Sequence, residues 1–242
     1  MDDNNSKALD ILGIKPIADS INIVTKETLA GASSFLGRIC LPAAEEFGLL
    51  LRDKVSNWRL NNQIRMLQKS EVKYNKFSQE SAYAHPRLVS GILDYSAWTD
   101  SENLQDMWAG LLASSCTPAG KDESNLIFIN ILSQLTSLQA KIVKYCCETT
   151  KKAISKGGWI HAENYYLELT KLEEIFQIED LHRLDREMDH LRSLGIVEAG
   201  FMPDSKLAIL TPTSLGLQMY VRCQGYAGSP LEFFGIKDEH ES

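Results

Sequence analysis

The strongest constraint on the fold is the spacing of apolar residues, which recur every three or four positions along most of the chain. Such spacing places them on one face of an α-helix. The 242 residues are enough for one large domain or two smaller ones with buried cores. We therefore predict a mainly α-helical globular protein. The clearest repeats are Ile17, Ile21 and Val24; Leu104, Trp108, Leu111 and Leu112; Ile127, Ile131 and Leu135; and Leu138, Ile142 and Cys146.

The last third of the chain has a different order of predicted elements. Residues 180–194 keep a helical apolar face, and Gly195 ends that helix. Two short strands follow, IVEAGF and LAIL, joined by the turn sequence MPDSK, and TPTSLGLQMYVRC then begins a capped helix. Helix, turn, helix, hairpin, helix is the order of a winged helix-turn-helix module. We predict such a module, containing a short β-hairpin, behind an N-terminal multi-helix bundle.

These patterns divide the chain into four predicted segments. They are a polar N-terminal tail at 1–15, a helical domain at 16–136, a winged-helix-like module at 137–228 and an acidic tail at 229–242. Within the helical domain, Thr99 and Glu102 have the spacing of a capping box. Further on, Gly157 and Gly158 follow three lysines and predict the C-terminal end of a helix.

Small residues and carboxylates mark the N-terminal part. The stretch LAGASSFLG, residues 29–37, predicts a close approach between two helices. Pro42 suits the first turn of the next helix, and Glu45 and Glu46 lie just inside it. Carboxylates there meet the positive end of the helix dipole. A structural role therefore explains the two glutamates better than a catalytic pair.

The best-defined electrostatic feature is a basic stripe formed by Arg65, Lys69, Lys73 and Lys76 on one side of a predicted helix. Residues 52–76 carry seven basic and two acidic side chains, in a chain whose formal net charge is -7. The stripe could face solvent, an anionic lipid surface, a nucleic-acid backbone or an acidic protein. We expect it to bind a partner or an anionic surface. The apolar residues change sides near Trp58, from the face of Phe47, Leu51 and Val55 to that of Leu60, Ile64 and Leu67.

The predicted winged-helix module is acidic, which weighs against DNA recognition. Residues 163–225 carry six basic and eleven acidic side chains. Affinity for nucleic acid rests chiefly on neutralising phosphates, so this excess of acid repels a duplex. We expect the module to contact protein or to act as a structural cap, and we keep a DNA-binding regulator as an alternative. A protein partner is favoured over nucleic acid, and a homo-oligomer is left open.

One pair of residues has the spacing of a catalytic motif. Arg183 and His190 are separated by six residues, as in helical ribonuclease toxins of the HEPN class. In those motifs a polar residue directly follows the arginine, whereas Leu184 stands there and belongs to a core face. The chain has no glycine-rich phosphate loop, no H-E-x-x-H and no G-x-S-x-G. We therefore expect no cofactor and no metal, and favour binding over catalysis, with a HEPN-like ribonuclease as an alternative.

Three features bear on the cellular compartment. The five cysteines are odd in number and widely spread, apart from Cys146 and Cys147, as is usual in a reducing compartment. The beginning MDDNNSKALD is acidic and polar, unlike a secretory signal. Charged residues interrupt the best candidate for a membrane span. We expect a cytoplasmic protein, with peripheral association at the inner membrane as the alternative that the basic stripe allows.

Three strings of residues are unusual enough to carry a family resemblance: FLGRICLPAAEEFGLLLRDKVSNWR, HPRLV and WTDSENLQDMWAGLLASS. Together they resemble the bacterial abortive infection alpha family, and the resemblance extends from about Ile14 to Gly225. It implies an α-helical protein that acts in phage defence, and it brings no active site with it. On this basis we expect a non-enzymatic defence protein that binds a partner or disturbs a membrane when triggered.

Overall fold

The computed structural model describes residues 26–52, 57–77 and 82–236. The predicted tail at 1–15 lies outside the described residues, as does the end of the predicted acidic tail. The described part contains eleven helices and seven short strands, and helices account for most of it. The prediction of a mainly α-helical fold is confirmed.

The described residues form two compact units. The first takes the chain up to Ser133 together with Arg222–Ala227, and the second takes Gln134–Val221 and the chain from Gly228. The elements of the first unit are α1 (Lys26–Ile39), α2 (Leu41–Arg52), α3 (Asn57–Phe77), β1 (Tyr83–Ala84), α4 (Pro86–Ala97), α5 (Glu102–Ser114), β2 (Cys116–Thr117) and α6 (Leu126–Leu132).

The apolar residues are predicted to change sides near Trp58. Helix α2 is described as far as Arg52 and α3 from Asn57, and residues 53–56 between them lie outside the described residues. The idea of one helix that changes its buried side there stays a prediction. The apolar side predicted for the second part is confirmed, because Leu60, Ile64 and Leu67 are all buried.

Helix α3 packs against α1, α4 and α5 in the core of the first unit. Two buried side-chain amides tie α3 to α4: Asn62 Nδ2 donates to the Ala97 carbonyl and Gln63 Nε2 to the Leu93 carbonyl, each over 3.1 Å. Buried amides keep their stabilising effect only when they are paired, so these bonds fix the position of α4 along α3. The fully buried apolar side chains around them include Met66, Leu67, Leu88, Ile92, Trp108 and Leu111.

The segment Arg222–Ala227 completes the first unit. The Cys223 backbone lies so close to α5 that a Cβ at Gly110 would come within 1.6 Å of the Cys223 carbonyl oxygen. Gly225 has a φ of 94°, in the region that favours glycine. Tyr226 packs edge-to-face against Phe77 of α3, with ring centroids 5.5 Å apart. This late segment therefore packs on both α3 and α5.

The second unit combines helices with two small antiparallel sheets. Its three-stranded sheet has the order β5-β7-β6, with Leu167 opposite Ala208 and Ala199 opposite Leu210. The β6–β7 pair is the hairpin predicted from IVEAGF and LAIL. The elements of this unit are α7 (Ser137–Thr149), β3 (Lys152–Ile154), β4 (Ile160–Ala162), β5 (Tyr166–Glu168), α8 (Leu169–Phe176), α9 (Leu181–Ser193), β6 (Val197–Phe201), β7 (Leu207–Pro212), α10 (Ser214–Cys223) and α11 (Pro230–Phe233).

A second hairpin was not expected from the sequence. The helix end predicted at Gly157 and Gly158 is wrong, because α7 already ends at Thr149 and β3 pairs antiparallel with β4. The two glycines lie in the loop of this hairpin, where Gly158 adopts a φ of 81°. Glycine accepts that backbone conformation at a helix end and in a turn alike, so the residue type alone could not separate the two.

Candidate functional site

The basic stripe shares one edge of α3 with a tryptophan. At 3.6 residues per turn, Trp58, Arg65 and Lys76 fall within about 20° of one another around the helix. Lys69 and Lys73 follow within about 80° of Arg65. This edge meets the end of α4 and the start of α5 through side-chain contacts. We call the surface the α3 edge; it comprises Trp58, Arg59, the basic stripe, Trp98, Glu102 and Asp106.

Half of the basic stripe is paired with carboxylates of α5. Lys69 contacts Glu102 and lies 3.8 Å from Asp106, and Lys73 Nζ lies 3.1 Å from Asp106 Oδ2. The two lysine side chains are only 24% and 15% exposed. Arg65 and Lys76 are exposed, and Lys76 Nζ lies 4.8 Å from the centroid of the Phe77 ring. The cations most accessible to a partner are therefore the outer two.

The other end of the α3 edge is aromatic. Trp58 is 44% exposed and Trp98 is 65% exposed, and their ring centroids are 6.4 Å apart. The Arg59 guanidinium lies 4.4 Å from the Trp98 ring centroid, within the range of a cation–π interaction. Exposed Tyr95 stacks on buried Trp108 next to this pair, with 8° between the ring planes. Stacking and the guanidinium hold the exposed rings in defined positions.

Sequence reasoning missed this aromatic cluster. Trp58 was assigned to an apolar helix face, and Trp98 appeared only inside a family string. The available signal was a tryptophan at the start of one helix and another at the end of a neighbouring helix. Helical periodicity does not bring these two together, since they are far apart in sequence and meet only when α3 packs on α4.

The α3 edge has the chemistry of a binding surface. Tryptophan, tyrosine and arginine are the residues that most often dominate the energy of protein interfaces. Large exposed rings next to charged side chains match the apolar centre and polar rim of such interfaces. The carboxylates on this edge, Glu102 and Asp106, already pair with the lysines.

Arg183, predicted as part of the alternative ribonuclease site, lies in the second unit at the start of α9. Its backbone amide donates to Asp180 Oδ1 over 3.0 Å, which caps the helix, and this bond lowers the pKa of Asp180. Its exposed side chain lies 3.9 Å from Glu187. A cavity of about 220 Å³ opens beside it, lined also by Lys141, Phe176 and Ile178.

His190, the other predicted residue of the pair, is held by α7. Its Nδ1 lies 2.9 Å from Gln139 Nε2, which also donates to the Glu187 carbonyl over 3.1 Å. The same Nδ1 lies 3.2 Å from Gln139 Oε1, and the tautomer of the ring decides which atom donates. Gln139 also forms a capping box with Thr136. The imidazole therefore takes part in the contact between α7 and α9, and it does not line the cavity beside Arg183.

The cysteines are arranged as core residues. All five are free and buried. Burial raises the pKa of Cys116 and of Cys146 to about 12, and it raises the pKa of Cys147 well above its ordinary value. A nucleophilic cysteine needs the opposite, a lowered pKa and access to solvent. These thiols therefore belong to the packing of the two units.

The described residues contain neither a candidate metal-binding group nor a helix that could span a membrane. Within 26–52, 57–77 and 82–236, His, Cys, Asp and Glu side chains form no group of three or more that could hold a metal ion. None of the helices in these ranges is long and apolar enough to cross a membrane.

A family model described as abortive infection alpha matches residues 51–210. The matched segment includes the whole of α3, α4 and α5, and therefore every residue of the α3 edge. No curated protein and no solved structure matches the chain.

Proposed function

The chain belongs to the abortive infection alpha family, and from that membership we propose that it acts in abortive-infection-type defence against phage by binding a protein partner through the α3 edge. The family resemblance noted in the residue strings is confirmed by the match. The family name supports the biological setting. The manner of action rests on the side chains of the α3 edge.

The observation that carries the proposal is the exposed pair of Trp58 and Trp98 with Arg59 against it. An exposed indole leaves a large apolar area in water, and burying it on binding is worth roughly 2 kcal/mol or more. The two rings already contact each other, and Arg59 lies over Trp98, so little side-chain freedom is lost on association. Arg65 and Lys76 add an accessible cationic rim, which favours a partner with acidic side chains.

Charge distribution favours a protein over a lipid surface. A membrane-binding helix needs many unpaired cations facing the anionic lipid. Lys69 and Lys73 are instead paired with Glu102 and Asp106. An edge of mixed charge around aromatic rings fits a protein interface better. We propose that the protein acts in the cytoplasm, with binding at the inner membrane as the alternative.

For the second unit we infer a winged-helix type of fold. Its order is helix α7, the β3–β4 hairpin, strand β5, helices α8 and α9, then the β6–β7 hairpin, with β7 between β5 and β6. We propose a role in protein contact or structure for it. Two of the three arginines of α9 lie near carboxylates of the same helix, Arg183 near Glu187 and Arg192 beside Asp189. A DNA-binding helix needs such cations for phosphates, so the regulator is the weaker proposal.

The proposal is tested with Trp58→Ala and Trp98→Ala, singly and together, in phage plating on cells that express the protein. Both side chains are exposed, so we expect the double variant to fold. We expect it to lose protection by at least tenfold in plating efficiency, because the apolar centre of the interface is removed.

The matched control is Ile127→Ala, which truncates an exposed apolar side chain elsewhere in the first unit. It should protect like the wild type. The melting temperature of each purified variant separates loss of binding from loss of fold. Full protection by a folded double variant would refute the α3 edge as the working surface.

A further inference from the structure

The β3–β4 hairpin of the second unit presents an exposed tryptophan on a well-ordered loop. Trp159 is 73% exposed. Its backbone amide donates to Ser155 Oγ over 3.1 Å, and the Ser155 amide donates to the Trp159 carbonyl over 2.9 Å. The Gly158 amide closes the turn by donating to the Ser155 carbonyl over 2.9 Å. These bonds fix the backbone that carries the indole.

Gly157 leaves room for the indole beside the loop backbone. A Cβ at this residue would lie 3.1 Å from both Cδ1 and Nε1 of the Trp159 ring, so the ring would have to shift by a few tenths of an ångström. The ring therefore lies against the loop on one side and is open to solvent on the rest of its surface.

Strand alternation puts a second ring and a lysine on the same face. Side chains two positions apart on a strand point the same way, about 6–7 Å apart. His161 therefore lies on the face of Trp159, and it is exposed, whereas Ile160 between them is buried. Ala153 pairs with His161 in the ladder, so Lys151 belongs to this face as well.

The hairpin is basic in an otherwise acidic unit. Residues 150–162 contain three lysines and no carboxylate. Lys152 Nζ lies 4.9 Å from the Phe234 ring centroid, on the other face. Lys151 pairs with Glu163 over 2.6 Å, but both side chains are largely exposed. Exposed pairs of this kind contribute little and exchange readily for another anion. Lys151 and Lys156 are therefore available to an anionic ligand.

We propose that the β3–β4 hairpin binds single-stranded nucleic acid, with a base stacked on Trp159, a second ring contact at His161 and phosphates beside Lys151 and Lys156. Stacking platforms flanked by lysines are the usual means of holding single strands without sequence preference. This goes beyond the proposed function, because the hairpin and the α3 edge are separate surfaces on different units.

A duplex and a lipid surface fit the hairpin less well. A duplex hides the faces of its bases, and its charge density meets the acidic residues of the second unit. A membrane anchor needs more apolar area than one indole, since even a single myristoyl chain gives only marginal binding. The rest of the loop is Ser155, Lys156 and two glycines, which add no apolar surface.

The test is fluorescence anisotropy of the full chain with a labelled single-stranded oligonucleotide of about a dozen nucleotides, alongside the matching duplex. We expect the single strand to bind more tightly than the duplex. Trp159→Ala should weaken binding about tenfold, and Trp159→Phe should restore most of it because a ring remains. With two phosphate contacts, the logarithm of the binding constant should fall with the logarithm of the salt concentration with a slope of about -1.4. Changing both Lys151 and Lys156 to Glu should abolish this salt dependence.

Tyr83→Ala is the matched control, since it removes an exposed aromatic ring from the other unit, and it should leave oligonucleotide binding unchanged. Melting temperatures verify the fold of each variant. Absence of oligonucleotide binding, or binding that Trp159→Ala leaves intact, overturns the proposal. Trp159-dependent binding to vesicles of phosphatidylglycerol without oligonucleotide binding also overturns it and assigns the hairpin to membranes. Failure here leaves the α3 edge untouched, because phage plating with Trp58 and Trp98 variants reports on that surface alone.

Discussion

At the scale of single residues, two helical glycines lie where another segment of the backbone comes very close. A Cβ at Gly110 would lie 1.6 Å from a backbone carbonyl oxygen, and one at Gly216 would lie 2.0 Å from another. The sequence had predicted a close approach in residues 29–37, yet among the described residues no atom lies within 4 Å of a Cβ added at Gly31 or Gly37. A small residue shows where another segment of backbone can come close to a helix. Whether a segment does so depends on residues far away in the sequence.

Alanine at these glycines should have opposite effects. Gly110→Ala forces a Cβ into the Cys223 backbone and should lower the free energy of unfolding by about 1–3 kcal/mol. Gly31→Ala adds a methyl group in open space within α1, so it should raise that free energy by roughly 0.5–1 kcal/mol through better helix propensity. Urea unfolding of both variants measures the difference. The same sign for both would contradict the packing described at Gly110.

The buried thiols make a second prediction at this scale. All five cysteines are buried, so Ellman's reagent should label none of them rapidly in the native protein and all five in urea. Burial also holds the pKa of Cys146 at about 12, against an ordinary value of 9.0. The folded state then keeps a proton that the unfolded chain releases, so stability is full below pH 9 and falls as the pH rises toward 12. Urea unfolding at pH 8 and pH 10 should show this loss, and Cys146→Ala should reduce it.

At the scale of elements, α3 shows what a helical pattern can and cannot predict. Its apolar face followed from spacing alone. Its pairing with α5 did not, because Lys69 meets Glu102 across 33 positions of sequence. Helix caps were likewise predicted only in part. The capping box expected at Thr99 is absent, since α5 begins after Ser101. A capping box forms instead at Thr136, before α7. Several threonine and serine residues could start a helix, and packing decides between them.

The basic stripe should separate into structural and binding halves. Changing Lys69 and Lys73 together to Glu places two further carboxylates beside Glu102 and Asp106 and should lower stability by about 1 kcal/mol or more. Changing the exposed Arg65 and Lys76 to Glu should alter stability by less than about 0.5 kcal/mol. If Arg65 and Lys76 contact an acidic partner, the variant with Glu at these two positions should lose protection against phage and keep its melting temperature. The Lys69 and Lys73 variant should not show this combination. Phage plating and thermal unfolding of both variants test this, and a fully protective Arg65 and Lys76 variant would count against the cationic rim.

At the scale of the whole molecule, the class of fold and the family could be predicted from the sequence. The exposed aromatic residues that form the candidate binding surfaces could not. Periodicity identified the helices, and turn residues identified the β6–β7 hairpin. The β3–β4 hairpin was missed because its strands are three residues each, too short for alternation to appear. The aromatic part of the α3 edge was missed because Trp58 and Trp98 meet only through tertiary packing. The basic stripe followed from helical spacing, whereas the basic β3–β4 hairpin was missed in a chain whose net charge is -7.

The return of Arg222–Ala227 to the first unit has a consequence for how the protein is made. A ribosome completes α1 to α6 long before it reaches these residues, yet α5 keeps an uncovered groove at Gly110 until Cys223 arrives. The first unit of a nascent chain therefore remains unfinished while nearly the whole second unit is translated. A defence protein built this way would gain its complete N-terminal unit only near the end of synthesis, and a prematurely terminated copy would lack it.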